Sequence, residues 1–208
     1  EIDAQYPQLT GGANPNFEKF NALARTIVMK RVAEFKKDLA PVEGTEPVEQ
    51  PEGSVGSDLG VGYDITLAQD DLVSVQFNFG SYYFGAAHPN THTQTLNYDL
   101  KNGKELKLAD LFKPGSKYLQ TLSTYCIADL KKQSKARGDE LPDDMLNDGA
   151  SPNAKNFQTW TITKRGLGVH FDPYQVGSYA SGPQFVMVPY STLKDLIKPD
   201  GPIAGFAI

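Results

Sequence analysis

Apolar and polar residues alternate over two successive stretches in the first half of the chain. The apolar positions of the first stretch are Leu59, Val61, Tyr63, Ile65 and Leu67, and those of the second are Val73, Val75, Phe77 and Phe79. Between the latter lie Ser74, Gln76 and Asn78. A period of two is typical of strands with one buried face, and the polar residues 69–71 suit a turn. We therefore predict a β-hairpin whose polar positions face solvent.

Two further strands are predicted after this hairpin. Residues 91–100, rich in threonine, form the third strand, and residues 104–108 form the fourth. The Asn102-Gly103 pair between them is the sequence that a two-residue type I′ turn prefers. Four sequential strands with short connections make an antiparallel meander. The glycine-rich residues 80–89 interrupt it, and we expect them to form an exposed loop.

Helical spacing precedes and follows the meander. One face of residues 17–39 carries Phe20, Leu23, Ala24, Ile27, Val28, Phe35 and Leu39, and one face of residues 117–132 carries Leu119, Leu122, Cys126 and Leu130. This spacing predicts two amphipathic helices, and Pro41 ends the first. A strand over residues 2–9 opens the chain. Ser191 is expected to cap a short closing helix through Ile197.

The remaining segments complete an α+β prediction. Residues 138–156 are polar and are predicted to form a loop with one helical turn near Met145, and three short strands follow at residues 160–162, 167–171 and 185–188. The predicted fold is an antiparallel sheet with two main helices packed on it and a short C-terminal helix. The predicted organisation is a single domain, residues 1–208, with sub-parts 1–90 and 91–202 and a tail, 203–208.

The charge of the chain limits its partners. The net charge is −5 with a pI near 5.2, which argues against nucleic acid because phosphates require a basic surface. The same charge suits a cationic partner. Residues 41–58 contain five carboxylates, three prolines and no basic residue, which predicts a solvated loop or a contact for a basic partner. The carboxylates are Glu43, Glu46, Glu49, Glu52 and Asp58.

The single cysteine, Cys126, excludes an intramolecular disulfide and a cysteine-based zinc site, and its helical spacing among leucines predicts that it is buried. No cofactor is expected. No run approaches the roughly 18 apolar residues of a membrane helix. The chain begins with Glu1, not Met, and we expect a leader or an anchor to have been removed.

Residues for catalysis or metal binding are few. His88 and His92 are four positions apart, and with His170 they offer three imidazoles for a zinc ion. Pro89 places the pair across a junction between loop and strand, where helical spacing no longer brings the rings together.

The carboxylates available for glycan hydrolysis are Asp99, Asp110 and Asp172, and no spacing brings them together. We assign no catalytic or metal-binding residue, and a cell-wall (peptidoglycan) hydrolase or a metal-dependent enzyme using His88 and His92 is kept as an alternative.

Aromatic and polar residues gather in two segments that glycines punctuate. The first segment contains Tyr82, Tyr83, His88, Asn90 and His92, and the second contains Tyr174 and Tyr179. Tyrosine combines a large contact area with a polar tip, as recognition surfaces require. We predict these seven residues as a ligand-binding surface. The alternative is that half of the rings are core anchors that pin the loops.

The middle of the chain resembles a known family of extracytoplasmic domains. The residues that carry the resemblance are Tyr-Tyr-Phe-Gly-Ala-Ala-His-Pro at 82–89, Leu-Asn-Tyr-Asp-Leu-Lys-Asn-Gly-Lys at 96–104 and Leu-Ala-Asp-Leu-Phe at 108–112. They are similar to a Gly-Gly-Ala-His-Pro loop followed by a hairpin, a pattern shared by anti-sigma-V factors and the N-terminal part of PdaC-type polysaccharide deacetylases. Ala86 replaces the second glycine. Residues 6–9 and 166–193 also resemble this family.

The resemblance implies a binding role. Anti-sigma-V factors are membrane-anchored sensors whose outer domain binds lysozyme, and in the deacetylases the domain is not the catalyst. We therefore expect a non-enzymatic binding or sensing domain in the periplasm or outside the cell, with a removed N-terminal segment as its anchor. The expected ligand is lysozyme or another cell-wall-associated protein or glycan. An immunity or inhibitor protein is a further alternative.

Overall fold

The computed structural model describes residues 1–12, 14–40, 54–69 and 71–206. The strands in this part of the chain are β1 (Ile2–Ala4), β2 (Asp58–Gln69), β3 (Leu72–Tyr82), β4 (Asn90–Asp99), β5 (Lys104–Glu105), β6 (Trp160–Ile162), β7 (Gly166–Phe171) and β8 (Gln184–Pro189). The helices are α1 (Asn16–Asp38), α2 (Tyr118–Arg137), α3 (Asp143–Gly149) and α4 (Tyr190–Leu193). The acidic residues Glu43, Glu46, Glu49 and Glu52, Asp70 of the predicted turn and the last two residues of the tail lie outside the described residues.

The α+β class is confirmed, but the single antiparallel sheet is wrong. Strands β1 to β5 form one sheet in sequence order, and β6 to β8 form a separate three-stranded antiparallel sheet. The first sheet is mixed because β1 runs parallel to β2, with Ile2 opposite Leu59. The predicted first strand through Leu9 ends at Ala4, since the backbone of Leu9 instead pairs with the side chain of Asn21.

The chain forms two compact units. Unit 1 comprises residues 1–63 and 77–92, and unit 2 comprises residues 64–76 and 93–208. The long strands β2 and β3 contribute residues to both. The sub-parts predicted at residues 1–90 and 91–202 follow chain order and stay a prediction.

Unit 1 is built on one face of α1. The buried residues of this helix are Phe20, Ala24, Val28, Val32 and Phe35, at helical spacing. They share the core with Leu59, Val61, Phe77 and Phe79 of β2 and β3. Leu39 was predicted on this face and is 45% exposed, because the helix ends at Asp38.

Unit 2 is built around α2 and the second sheet. Leu122, Cys126 and Leu130 are fully buried as predicted, and α2 packs on β8. Helix α3 has about two turns where one was predicted near Met145. The predicted closing helix is wrong in its cap and its length. Helix α4 begins at Tyr190 without a side-chain cap and ends at Leu193, while Ile197 forms an isolated β-bridge with Phe112.

Polar side chains of β2 to β4 pair with the backbone of β6 within unit 2. Ser74 Oγ accepts from Ile162 N–H at 2.9 Å and donates to Asn97 Oδ1 at 2.7 Å. Asn97 Nδ2 donates to the Trp160 carbonyl at 2.8 Å, and Thr66 Oγ1 donates to the Ile162 carbonyl at 2.9 Å. Ser74, predicted to face solvent, is therefore fully buried. Burial is possible because each polar group has a partner.

The connection from β4 to β5 differs from the predicted type I′ turn. Asp99 lies opposite Lys104, so four residues form the loop. Gly103 has a φ of +64°, whereas Asn102 has a negative φ, and a type I′ turn requires positive φ at both central residues. Asp99 instead accepts hydrogen bonds from the Asn102 backbone N–H at 2.9 Å and from Asn102 Nδ2 at 2.6 Å. A side-chain turn of this kind is common for aspartate.

Ile65, predicted on the buried face of β2, is 52% exposed. Its neighbour Thr66 points to the other face, where its hydroxyl bonds to β6. Which β2 residues are buried in unit 2 therefore depends on contact with the second sheet as well as on the alternation of apolar and polar positions.

Candidate functional site

A groove of about 580 Å³ opens on unit 1 beside the loop between β3 and β4. Gly60 of β2 and Gly80 of β3 line it, together with Tyr82, His88 and the exposed Val55. The loop is held by a turn in which Ala86 N–H donates to the Tyr83 carbonyl at 2.9 Å, and Gly85 takes a φ of +83°. An L-residue would be strained at Gly85. We name this the unit 1 groove.

Neither backbone conformation nor close packing requires glycine at the two strand positions that line the unit 1 groove. Neither Gly60 nor Gly80 has a positive φ. A Cβ added at Gly80 would meet nothing within 4 Å, and one at Gly60 would reach only the Gly80 carbonyl oxygen at 4.0 Å. Glycine inside a strand costs about 0.5–1 kcal/mol relative to alanine. It often marks a place where a ligand or another backbone approaches closely.

The position of Gly60 and Gly80 in the lining of the unit 1 groove was not predicted from the sequence. Gly60-Val61-Gly62 is visible in the sequence, and it lies inside β2. Strand register was the signal that could have revealed it, since Gly60 and Gly62 share the face opposite the buried Leu59 and Val61.

Tyr83 is tied to α1. Its hydroxyl donates to Asp38 Oδ2 at 2.9 Å, and its ring lies 5.1 Å from that of Phe35. Burial, followed by the hydrogen bond to Asp38, raises the pKa of Tyr83 above its usual value. The next residue, Phe84, donates its N–H to Ser57 Oγ at 2.8 Å. These contacts fix the start of the loop.

The other predicted residues of unit 1 take different places. Tyr82 and His88 line the unit 1 groove. Asn90 is exposed at the start of β4 and is not among the residues that line it. His92 is exposed, with its ring stacked 6.0 Å from Phe79. Their roles in binding stay predictions.

The structure does not gather the three histidines into a metal site. His88 Nδ1 lies 2.9 Å from the Pro89 carbonyl oxygen, and His92 stacks on Phe79. His170 belongs to unit 2, where burial lowers its pKa to about 4. Over residues 1–12, 14–40, 54–69 and 71–206, no group of three or more His, Cys, Asp or Glu is placed to hold a metal ion.

Two of the three candidate carboxylates share a groove. Asp99 and Asp110 both line a space of about 600 Å³ in unit 2. Asp99 is engaged by Asn102, and Asp110 accepts the Lys107 N–H at 2.9 Å. Asp172 lies elsewhere and accepts the Thr93 N–H at 2.9 Å. Asp99 and Asp110 therefore stabilise local backbone conformations, whereas Asp172 connects its loop to β4.

Tyr174 and Tyr179 project from the loop between β7 and β8 in unit 2. Their ring centroids are 5.8 Å apart at an angle of 35°. Tyr174 is 59% exposed and has a φ of +71°. Among the described residues, no other residue besides glycine has a positive φ. We name these two rings the tyrosine pair.

Comparison with known sequences identifies a domain in the second half of the chain. Residues 109–191 match the model of a family described as a protein of unknown function, DUF3298. A DUF3298 domain is therefore present.

The chain is also similar to the peptidoglycan-N-acetylmuramic acid deacetylase PdaC of Bacillus subtilis (strain 168), with 31% identity over 181 residues. The similarity covers 87% of this chain and 37% of the deacetylase, so the chain spans well under half of that relative. The predicted resemblance to PdaC-type deacetylases is confirmed, and the one to anti-sigma-V factors stays a prediction.

Two solved structures share the fold. A DUF3298 family protein from Pseudomonas aeruginosa PAO1 has a TM-score of 0.64 at 15% identity, covering 94% of this chain and 91% of that chain. A DUF3298 family member from Bacteroides fragilis NCTC 9343 has a TM-score of 0.59 at 22% identity, covering 95% of this chain and 74% of that one. No helix in the described part of the chain is long and apolar enough to cross a membrane.

Proposed function

We propose that this chain is a non-enzymatic binding or sensing domain that acts outside the cytoplasmic membrane, with the glycan of the cell wall as its ligand. The observation that carries the proposal is the 181-residue similarity to an enzyme named for its action on peptidoglycan. The chain spans 37% of that enzyme, which suits a domain that brings a larger protein to its substrate. The periplasm or the cell exterior is the corresponding location.

The unit 1 groove supports a binding role. Its floor is free of side chains at Gly60 and Gly80, and Tyr82 and His88 stand beside it. A sugar ring has a flat apolar face and hydroxyl groups at its edge, so it can lie on such a floor while its hydroxyls reach polar groups. Ligand sites of this kind combine apolar surface with a few polar groups.

Sedimentation with purified peptidoglycan tests the proposal. The wild-type protein is expected to leave the supernatant in a saturable manner as peptidoglycan is added. Gly80→Val fills the groove and is expected to weaken binding at least five-fold. Gly62→Val is the matched control, because its Cβ also meets nothing within 4 Å and Gly62 does not line the groove.

Both glycine variants are expected to fold, since valine favours strands. Circular dichroism melting checks this. If the wild-type protein stays in the supernatant at every amount of peptidoglycan, the proposed function is wrong. If Gly80→Val and Gly62→Val bind equally, the groove is not the place of contact.

Lysozyme is a second candidate ligand, favoured by the net charge of −5, which complements a cationic protein. Titration calorimetry at low ionic strength is expected to show binding that weakens as salt is added, because exposed charges are screened. The absence of heat at high micromolar concentrations would remove this candidate and leave the glycan proposal intact.

A further inference from the structure

Tyr174 occupies a turn position that normally belongs to glycine. Gln175 N–H donates to the Asp172 carbonyl at 3.1 Å, which closes a turn over Asp172-Pro173-Tyr174-Gln175. Proline at the second position and a positive φ at the third are the marks of a type II turn. The third position of that turn favours glycine, or asparagine, because a Cβ is strained there.

The loop that carries Tyr174 is firmly supported. The Gln175 side chain donates to the carbonyls of Gly149 and Asn156, each at 3.0 Å. Val176 is 1% exposed and belongs to the core of unit 2. Gly149 packs so closely on the loop that a Cβ there would overlap the Gln175 carbonyl oxygen. These contacts hold the strained turn in place.

The ring of Tyr174 is not part of the core that supports the loop. It is 59% exposed and packs on Tyr179. A glycine at position 174 would remove the strain without opening a cavity in the core. Strained residues held by their surroundings cluster at ligand-binding sites, where they fix a side chain in its binding position.

The chemistry of the loop indicates an uncharged ligand. Residues 172–182 contain one charged side chain, Asp172, and its Oδ1 accepts the Thr93 N–H at 2.9 Å. A strongly cationic protein would be bound through exposed carboxylates. The tyrosine pair instead offers two flat apolar faces with hydroxyl groups, at low cost in side-chain entropy.

We infer that the tyrosine pair is a second contact surface for cell-wall glycan, on which a sugar ring packs against Tyr174 and Tyr179. The inference rests on the proposed function for its ligand. It places the contact in unit 2, separately from the unit 1 groove.

Tyr174→Gly tests the inference through two readouts of opposite sign. Binding to purified peptidoglycan, measured by sedimentation, is expected to weaken at least five-fold because the ring is lost. The melting temperature is expected to rise by about 2–4 °C because the turn is relieved. Tyr174→Phe keeps the ring and is expected to bind within two-fold of wild type.

Phe185→Ala is the control for loss of an exposed aromatic ring from the same unit, since Phe185 is 41% exposed on β8. It is expected to bind within two-fold of wild type. If the wild-type protein binds and Tyr174→Gly binds equally well, the inference is overturned and the proposed function stands. If the wild-type protein does not bind peptidoglycan, the proposed function fails and the inference fails with it.

Discussion

The loops at residues 83–89 and 172–182 look alike in sequence and differ in the structure. Both connect neighbouring strands, contain glycine and begin close to a tyrosine. In the first loop, Tyr83 is held between Phe35 and Asp38 of α1. In the second, Tyr174 extends into solvent from a backbone conformation that disfavours it. The Tyr83 ring therefore stabilises its loop, whereas the loop of Tyr174 is stabilised by other residues and holds the Tyr174 ring in solvent.

The difference shows that a tyrosine's role depends on partners distant in the chain. The carboxylate that binds Tyr83 lies 45 positions earlier in the sequence. The support of the Tyr174 turn comes from Gly149 and Asn156 through the side chain of Gln175. A tyrosine that stabilises its loop, such as Tyr83, makes hydrogen bonds and packing contacts with its own side chain. For an exposed tyrosine held in a fixed position, such as Tyr174, the hydrogen bonds are made by the neighbouring residue Gln175.

The largest expected effect comes from removing the support of the second loop. In Gly149→Ala, the new Cβ overlaps the Gln175 carbonyl oxygen, so α3 and the loop must move apart. We expect the free energy of unfolding to fall by about 3 kcal/mol, at the upper end for overpacking. Urea unfolding measures this change, and peptidoglycan sedimentation is expected to show weaker binding.

Gly62→Ala is the control for the added methyl group, because a Cβ there meets nothing within 4 Å. Its stability is expected to equal or exceed that of wild type. A Gly149→Ala protein as stable as wild type would contradict the close packing that supports the Tyr174 turn.

A fall in pH is expected to lower the free energy of unfolding of unit 2 because of His170, which lies in β7 just before the second loop. Burial lowers the pKa of His170 to about 4, and the charge of Asp172 opposes this shift. The unfolded state therefore binds a proton below about pH 6.5, whereas the folded state does so only below about pH 4. Stability falls between these values as the pH falls, by about 3 kcal/mol in total.

Thr161 and Phe185 contact the His170 ring: Thr161 Oγ1 lies 3.2 Å from Nε2, and the Phe185 ring lies 4.9 Å away. His170→Gln removes the titrating group. Urea unfolding at roughly pH 7 and pH 5 is expected to show a smaller loss of stability in the variant than in wild type. Equal losses would mean that His170 is not the group responsible.

The smallest effect is expected at Asp38, the hydrogen-bond partner of Tyr83. Asp38→Asn removes the charge beside Tyr83 and weakens the hydrogen bond, which lies at the surface. We expect the free energy of unfolding to fall by about 0.5 kcal/mol. The pKa of Tyr83 is expected to fall towards its usual value, because Asp38 contributes to raising it. Spectrophotometric titration in both proteins checks the shift, and an unchanged pKa would contradict the assignment.

Local periodicity was sufficient to predict most of the elements. Helices α1 and α2 and the strands β2, β3 and β6 to β8 follow apolar spacing, which reports on a single element, and β4 was predicted from its threonine content. The parallel pairing of β1 and the burial of Ser74 depend on partners far along the chain, and spacing does not report on these. The length of α4 was overestimated because Ile197 pairs with Phe112 instead of continuing the helix.

The candidate site was predictable in its aromatic residues and not in its geometry. Tyr82 and His88 were predicted and line the unit 1 groove, but the floor at Gly60 and Gly80 was missed. The positive φ of Tyr174 could not be foreseen, because Asp-Pro-Tyr-Gln lacks the glycine that marks such a turn. Packing around Gln175 imposes this conformation, and only the structure shows it.

The contrast between the two tyrosines is tested most directly by the same substitution at each position. Urea unfolding is expected to show that Tyr83→Gly lowers the free energy of unfolding by about 2 kcal/mol, because packing on Phe35 and the hydrogen bond to Asp38 are lost. Tyr174→Gly is expected to raise the free energy of unfolding by about 1 kcal/mol, because strain is relieved at an exposed position. Opposite signs support the account. A loss of stability in both variants would contradict it.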